Sequence, residues 1–479
     1  MWRQKWQHCH VCVIMREATT QIVQFSIHST RGITNVYQIC DNFFLKKILY
    51  AFVGLLRHKQ EEEYVLLLIV FLIMITLTYY LLRDNKMNTS HKKQINILYD
   101  HQIFSLQSVG GISSYVRTLI EGISVYKRIW KTVLVWASGN NWLKTTNRHI
   151  ILISRYWTTK RGVFALIYAY NKLRTRRRTW THTRPELIHH TLYDPFLLKQ
   201  YPRSQHILTV HDLIHKAHPE FERKHKIWLF DFAEKGIQTF LDHPRTHIIC
   251  VSQFTKNELA LYYKIPFPDK IRIIHHGINL DTIRGYVQAD RSDNHNKKPY
   301  IVLIGLRGRY KNVWPCIQAL APQLQKNNRN LILIGGGELN TEENVLLNSL
   351  DIQDRVQQIS ATEKEKFCIL AGAEGFVYSS LYEGFGIPLL EALAVHCPVI
   401  CSELPVFREV GWDVCTYIDT TDSEARDGAL LDAQNKKNDR DRHYTVDTHL
   451  EHFTADRMVQ ETIDLYDHAL TQDDKDSFV

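Results

Sequence analysis

The stretch Tyr382 to Val399, YEGFGIPLLEALAVHCPV, carries two carboxylates, Glu383 and Glu391, eight positions apart. Between them lie the turn residues Gly384, Phe385 and Gly386, then Ile387 and Pro388. Proline suits a first helical turn, where a missing N–H costs nothing. Leu389, Leu390, Ala392, Leu393 and Ala394 continue as an apolar helix. This spacing sets one acid on a tight loop and the second about a turn and a half into the helix, both facing one crevice. The uncapped N–H groups at the helix start lie between them, open to an anion. Such a layout suits a sugar, a ribose and the phosphates that join them.

Four further segments bring candidate ligands. Ile304 to Asn312, IGLRGRYKN, reads as a strand end followed by a loop with Arg307 and Lys311. Two cations four apart beside a helix start form a clamp for a diphosphate, able to stabilise charge on a departing phosphate. A solvated basic turn is the plainer reading. Ile334 to Leu339, IGGGEL, is a second strand-to-turn junction, but Asn340 stands where a dinucleotide fingerprint needs its third glycine. A dinucleotide cofactor is therefore not expected. Val109 to Tyr115, VGGISSY, offers Gly110 and Gly111, where backbone N–H groups can approach a phosphate or sugar, or simply make a tight turn. Thr209 to Leu213, TVHDL, places His211 at the carboxyl edge of a strand, where it could touch a substrate hydroxyl or relay a proton. Asp212 reads as a loop-orienting residue.

These segments sit in a regular β–α alternation. Strand-like runs are Ile95–Tyr99, Thr132–Trp136, Ile150–Ile153, Leu187–His190, Ile207–His211, His247–Val251 and Ile271–His275. Helical patterns intervene at about 112–125, 162–175, 222–240 and 253–263. After a polar linker, Asp290–Pro299, a second series follows: Tyr300–Ile304, Leu331–Ile334, Val356–Ile359, Gly375–Ser379, Val399–Cys401 and Thr416–Ile418. The expectation is α/β: two doubly wound Rossmann-like domains facing a cleft, at 94–289 and 298–450, each with a parallel sheet covered on both faces. Ligands bind outside the carboxyl ends of such strands. Residues 451–479 read as a final helix and an acidic tail.

Composition adds constraints. The chain has 479 residues, is 44% hydrophobic and carries a formal charge of +9. Residues 120–220 hold 17 basic and 5 acidic side chains, so this part should meet an anionic partner. Within it, Arg174 to Arg184, RTRRRTWTHTR, follows an aromatic segment and suits an anionic membrane surface. A solvated basic face is the alternative, and no nucleic-acid motif accompanies it. Nine scattered cysteines argue for a reducing compartment. Cys9 and Cys12 form a lone CxxC that reads as two free thiols; no metal site is expected. Residues 1–93 form a leader whose run Tyr64–Leu82 is 19 residues without a charge, a candidate transmembrane helix. Met87 is an alternative start. The expected location is cytoplasmic, with the leader and the basic stretch as the two routes to a membrane.

Together these pieces resemble the family 4 (group 1) glycosyltransferases, which have the GT-B fold, over about 94–470. YEGFGIPLLEA matches the family's E-x7-E signature, IGLRGRYKN its glycine-arginine-lysine-asparagine segment, LTVHDLIHKAHPEF its HD segment and VGGISSYV its glycine loop. The resemblance implies that Glu383 supports the donor sugar and Glu391 binds the ribose. It puts Arg307 and Lys311 on the diphosphate and His211 near the sugar. Gly110, Gly111, Phe385, Gly386 and Ile387 complete the donor site. Ser252 and Gly277 lie in segments similar to family ones and read as structural. The last helix is implied to cross back to the first domain. YKN resembles a subgroup that includes many mannosyltransferases. Three positions depart from the pattern: Val395-His396 stands where the family usually has a small residue or cysteine and a glycine, Arg309 replaces a glycine, and Trp412 follows Gly411 where small residues are common.

The implied function is retaining transfer of a hexosyl group from a GDP- or UDP-linked sugar to a hydroxyl of a glycan, polysaccharide or lipid-linked acceptor, without cofactor. The acceptor is expected in the first domain. A nucleotide-sugar epimerase of the same fold and a non-catalytic scaffold are the alternatives; a nicotinamide dehydrogenase is disfavoured by the failed fingerprint.

Overall fold

The computed structural model describes residues 95–476, apart from 108–109, 127–128, 134–136, 139–150, 153–160, 180–184, 222–226, 290–297, 420–431 and 433–438. The leader, with its CxxC and its 64–82 run, lies outside the described residues, as do most of the 290–299 linker and much of the basic stretch. Among the described residues no helix is long and apolar enough to cross a membrane.

Two six-stranded sheets form the scaffold, and every strand pairing in them is parallel. The first comprises β1 (Ile95–Tyr99), β2 (Ile129–Val133), β5 (Leu187–His190), β6 (Gln205–Val210), β7 (Thr246–Cys250) and β8 (Ile271–Ile273), in the order β2-β1-β5-β6-β7-β8. A short parallel pair, β3 (Ala137–Ser138) and β4 (Ile151–Leu152), accompanies it. The second comprises β9 (Tyr300–Ile304), β10 (Asn330–Ile334), β11 (Val356–Ile359), β12 (Gly375–Tyr378), β13 (Val399–Ser402) and β14 (Thr416–Ile418), in the order β11-β10-β9-β12-β13-β14. Strands buried on both faces require continuous apolar runs, and β6, β7, β12 and β13 are buried at every position. The expected α/β pair of doubly wound lobes is therefore the observed architecture.

Strand order reverses between β1 and β5 in one sheet and between β9 and β12 in the other. At such switch points the loops leaving the carboxyl ends diverge and open a crevice. In the second lobe those loops are Gly305–Asn312 after β9 and Ser379–Gly386 after β12. The register Ile304↔Ile334 also sets the turn after β10 beside the loop after β9.

The helix Ala455–Asp476 packs on the first lobe. Its Met458, Val459, Ile463, Leu465, Tyr466 and Ala469 share a buried cluster with Ile97, Tyr99, Leu119 and Ile123. The Tyr466 hydroxyl reaches Tyr99 at 3.0 Å and His189 at 2.5 Å, so its polar tip is satisfied inside the core. Gly277 lets the chain cross here: a Cβ would stand 2.3 Å from the Thr454 carbonyl oxygen.

The lobes meet along a polar seam. Glu409 of the second lobe accepts from the N–H groups of Gln253 (2.7 Å) and Phe254 (3.1 Å), the start of helix Gln253–Tyr262, and pairs with His275 at 2.9 Å. Burial pushes this carboxyl up, but His275 and the two N–H donors outweigh it and hold Glu409 below the usual glutamate range. A depressed carboxyl stabilises the fold above its unfolded pKa and loses that contribution as pH falls through its folded value. Glu409→Gln should therefore melt lower than the parent at pH 7, and the gap should close below about pH 4, as followed by thermal unfolding across pH. Ile463→Ala, at a fully buried site, should destabilise by about 2–5 kcal/mol in urea titrations; a neutral result would mean that the last helix is not integral to the lobe.

Candidate functional site

The Glu383 loop begins where β12 ends. The Ser379 hydroxyl donates to the Lys311 carbonyl at 2.8 Å, and the Leu381 N–H donates to the Tyr310 carbonyl at 2.7 Å. These bonds tie the loop after β12 to the loop after β9. They bring the Lys311 ammonium onto Glu383 Oε1, which also accepts from the Ser380 hydroxyl at 2.7 Å. Both charged side chains are largely sheltered, at 16% and 14% exposure. Burial works against the Lys311 charge, but Glu383, with Tyr310 and Asp212 nearby, overrides it and raises the pKa. The ammonium also lies over the rings of Tyr310 and Tyr378, at 5.1 and 5.5 Å. The pair and the rings thus favour the charged form of Lys311 and hold it in place.

Glu391 sits on the helix Ile387–Ala394, which follows Gly386 in the left-handed conformation (φ +103°) with proline at its start. Glu391 is paired with Lys366 at 2.6 Å. Nothing in the sequence marks Lys366, because EKEKF reads as a solvated helix face. Ser380 was visible beside the signature but carried no pattern of its own.

The first lobe supplies the opposing wall. Gly384 presses on it: a Cβ there would lie 1.8 Å from the His211 carbonyl oxygen and 2.9 Å from Asp212 Cβ. Ser252 and Thr255 hydroxyls donate to the Gly384 carbonyl at 2.8 and 3.1 Å, so Ser252 does more than cap its own helix. The Tyr382 hydroxyl accepts from the Leu213 N–H at 2.9 Å and bonds Glu258 at 2.5 Å. His211 stacks on His276 (5.3 Å between centroids, 12°) with Tyr115 edge-on. Burial pushes the His211 pKa down to about 3, so the ring is neutral and suited to hydrogen bonding instead of proton relay at neutral pH. Asp212, read as a loop orienter, does accept from the Ile214 N–H at 3.3 Å. It also belongs to the charged centre: burial first, then Glu383, pushes its pKa up.

Gly110 and Gly111 begin the helix Gly111–Ile123. The position of a Gly111 Cβ lies 4.0 Å from the Ile387 side chain, so the glycine loop of the first lobe faces the signature helix. Phe385 is different. Its ring is buried among His275, His276 and Phe453, so only its backbone is left to meet a ligand.

The two cations of the expected clamp take different partners. Arg307 does not join Lys311 at Glu383. Its guanidinium forks onto Glu343 at 2.8 and 3.0 Å and donates to the carbonyls of Gly335, Gly337 and Glu338 at 3.2, 3.1 and 2.9 Å. All five N–H donors are thereby used. Sequence spacing placed Arg307 on the right loop but could not show which way it turned.

Two departures noted in the sequence fall on left-handed backbone, His396 at φ +55° and Trp412 at φ +39°. Glycine adopts this region without cost, whereas a bulky side chain there is strained. Among the described residues no group of three or more His, Cys, Asp or Glu is placed to hold a metal ion.

A family model described as Glycosyl transferases group 1 matches residues 288–440, and one described as Glycosyltransferase Family 4 matches 109–282. The O-antigen chain mannosyltransferase RfbU of Salmonella typhimurium is 26% identical over 248 residues, 50% of this chain and 62% of its own length. The match thus spans less than two thirds of that relative. The O-antigen chain mannosyltransferase B of Escherichia coli is 27% identical over 277 residues, 56% of this chain and 70% of its own. Among solved structures, Anabaena HepE in complex with UDP-glucose superposes with a TM-score of 0.58 at 13% identity, over 78% of this chain and all of that one. A sucrose-phosphate synthase from Thermosynechococcus elongatus gives 0.57 at 17% identity, over 79% and 100%. At such identities the structures speak for the fold. With both lobes matched in order, and the acidic signature standing at the crevice between them, the chain belongs to the group 1, family 4 glycosyltransferases of the GT-B fold.

Proposed function

We propose that this protein transfers a hexosyl group, with retention at the anomeric carbon, from a nucleotide diphosphate sugar to a hydroxyl of a glycan or lipid-linked acceptor. The observation that carries this reading is the sheltered Lys311–Glu383 pair at the lobe seam, with Glu391 on the adjoining helix. As the glycosidic bond loosens, negative charge collects on the diphosphate and positive charge on the sugar. Lys311 takes the first. Glu383, released from Lys311, supports the second. Glu391 accepts from the ribose hydroxyls, with Lys366 holding it in place. His211, neutral and at the strand end of the first lobe, hydrogen-bonds the sugar. The acceptor proton passes to a donor phosphate oxygen. A mannosyl donor is favoured because the two relatives described above are named mannosyltransferases. The basic part of the first lobe takes the acceptor, and any contact with an anionic membrane surface falls there.

The test is turnover of the full chain with GDP-mannose and UDP-glucose, with and without lipid-diphosphate or glycan acceptors. Acceptor-dependent transfer is expected, and an α-linked sugar donor should give an α-linked product by NMR. Release of nucleotide with equal yield in the absence of acceptor would favour the epimerase instead. Glu383→Gln should lower kcat by about 10²–10³-fold, the usual loss for one transition-state contact. Glu391→Gln should act mainly on donor KM. A Glu383→Gln variant with parental kcat would remove this carboxylate from the chemistry.

A further inference from the structure

A neutral imidazole carries one N–H and one bare nitrogen, so the nitrogen that His211 offers a sugar either donates or accepts. The choice is made by a second histidine. His211 follows β6 and His276 follows β8, both at the carboxyl edge of the first sheet. His211 Nδ1 faces His276 Nε2 at 3.4 Å, with the ring planes 12° apart. Tyr115 meets both rings edge-on, at centroid distances of 5.1 and 4.7 Å, and its hydroxyl is tied to Thr209 at 3.2 Å. Phe385 of the signature stands across the His276 ring at 4.9 Å and 87°. The backbone on either side is pinned as well: the Ile274 N–H donates to the Cys250 carbonyl at 3.1 Å, and the Ile278 N–H to the Phe453 carbonyl at 2.9 Å.

Neither ring carries a second proton at neutral pH. Burial pushes His211 down to about 3. Burial, with His211 and His275 adding to it, takes His276 well below the usual histidine range. The contact between the rings therefore joins one N–H to one bare nitrogen. The two outer nitrogens settle which is which. Among the described residues neither has a protein partner, but His276 Nδ1 is sealed from solvent and His211 Nε2 is not. If His211 donated from Nδ1, His276 would carry its own proton on Nδ1, a buried N–H with nothing to bind. Orphaned buried N–H groups are rare, and each costs its desolvation in full; an unpaired acceptor is the lesser cost. If His276 donates from Nε2, its sealed Nδ1 is only a bare lone pair. His211 then holds its proton on Nε2, the nitrogen open to a ligand.

We infer that His276 is a positioning residue: by donating its Nε2–H to His211 Nδ1, it fixes the tautomer in which His211 presents Nε2–H to a hydroxyl oxygen of the transferred sugar. This rests on the role of His211 proposed above.

The tautomer is read by nitrogen NMR on the full chain labelled with ¹⁵N-histidine, the His211 signals being those lost in His211→Gln. The expected parent spectrum has His211 protonated on Nε2 and bare on Nδ1, and His276→Leu should mix the two forms. A parent His211 protonated on Nδ1 would overturn the inference and leave the sugar contact standing. Kinetics with GDP-mannose and UDP-glucose supply the second readout. His276→Leu should lower kcat/KM about tenfold, the scale of one lost hydrogen bond. His276→Gln, whose amide nitrogen can replace the Nε2 donor, should recover most of it. The double variant His211→Gln/His276→Leu should be no worse than His211→Gln alone; additive losses would show that His276 acts apart from His211 and would overturn the inference. His211→Gln with parental kcat/KM would instead overturn the role of His211 and this inference together. The NMR result decides the tautomer whether or not either sugar nucleotide is turned over.

Discussion

The sheltered ion pair between Lys311 and Glu383 is the constraint on which the site depends. A lysine confined beside a carboxylate and two aromatic rings loses the mobility of a surface lysine and keeps its charge. Breaking such a pair by removing one partner leaves an uncompensated charge, which is costly; in the proposed exchange Lys311 gains the phosphate and Glu383 gains the cationic sugar. In the proposed reaction the incoming diphosphate displaces this pair. Its geometry comes from two backbone facts: β9 and β12 are neighbours, and their following loops are cross-bonded through Ser379 and Leu381.

The second constraint is the seam. Gly384, one residue from Glu383, has its carbonyl held by Ser252 and Thr255 and its α-carbon against the His211 backbone. No side chain fits there. The loop that carries Glu383 is consequently positioned by both lobes, and any change in lobe separation must move the carboxylate. The glycine of the signature is thus explained by a close approach across the crevice, and Gly386 by its left-handed backbone at the helix start.

Much of this was legible in the sequence, because the dominant signals are local. Strands β1, β5, β9, β11 and β14 have the bounds that their apolar runs predict, the short β3 has no counterpart among the expected runs, and the others shift by a few residues at their ends. Glu383, Glu391, Gly386 and Ile387 follow from a motif in which turn residues, proline and an apolar run occur in order. Side-chain partnerships over long sequence separations were not legible. Lys366 pairs with Glu391 across 25 positions and Arg307 with Glu343 across 36. Each looks like an ordinary surface charge until the fold joins its helix to the site. The same limit hid Asp212, whose short sequence context describes a turn and says nothing of the carboxylate it will face.

The central claim is that the Lys311 ammonium exchanges Glu383 for the leaving diphosphate. A crystal structure of the full chain with the nucleoside diphosphate it binds tests this most directly. The account predicts a phosphate oxygen within hydrogen-bonding distance of Lys311 Nζ, with the Glu383 carboxylate freed toward the vacated sugar position. A bound nucleotide whose phosphates lie elsewhere, with the Lys311–Glu383 contact intact, would contradict it.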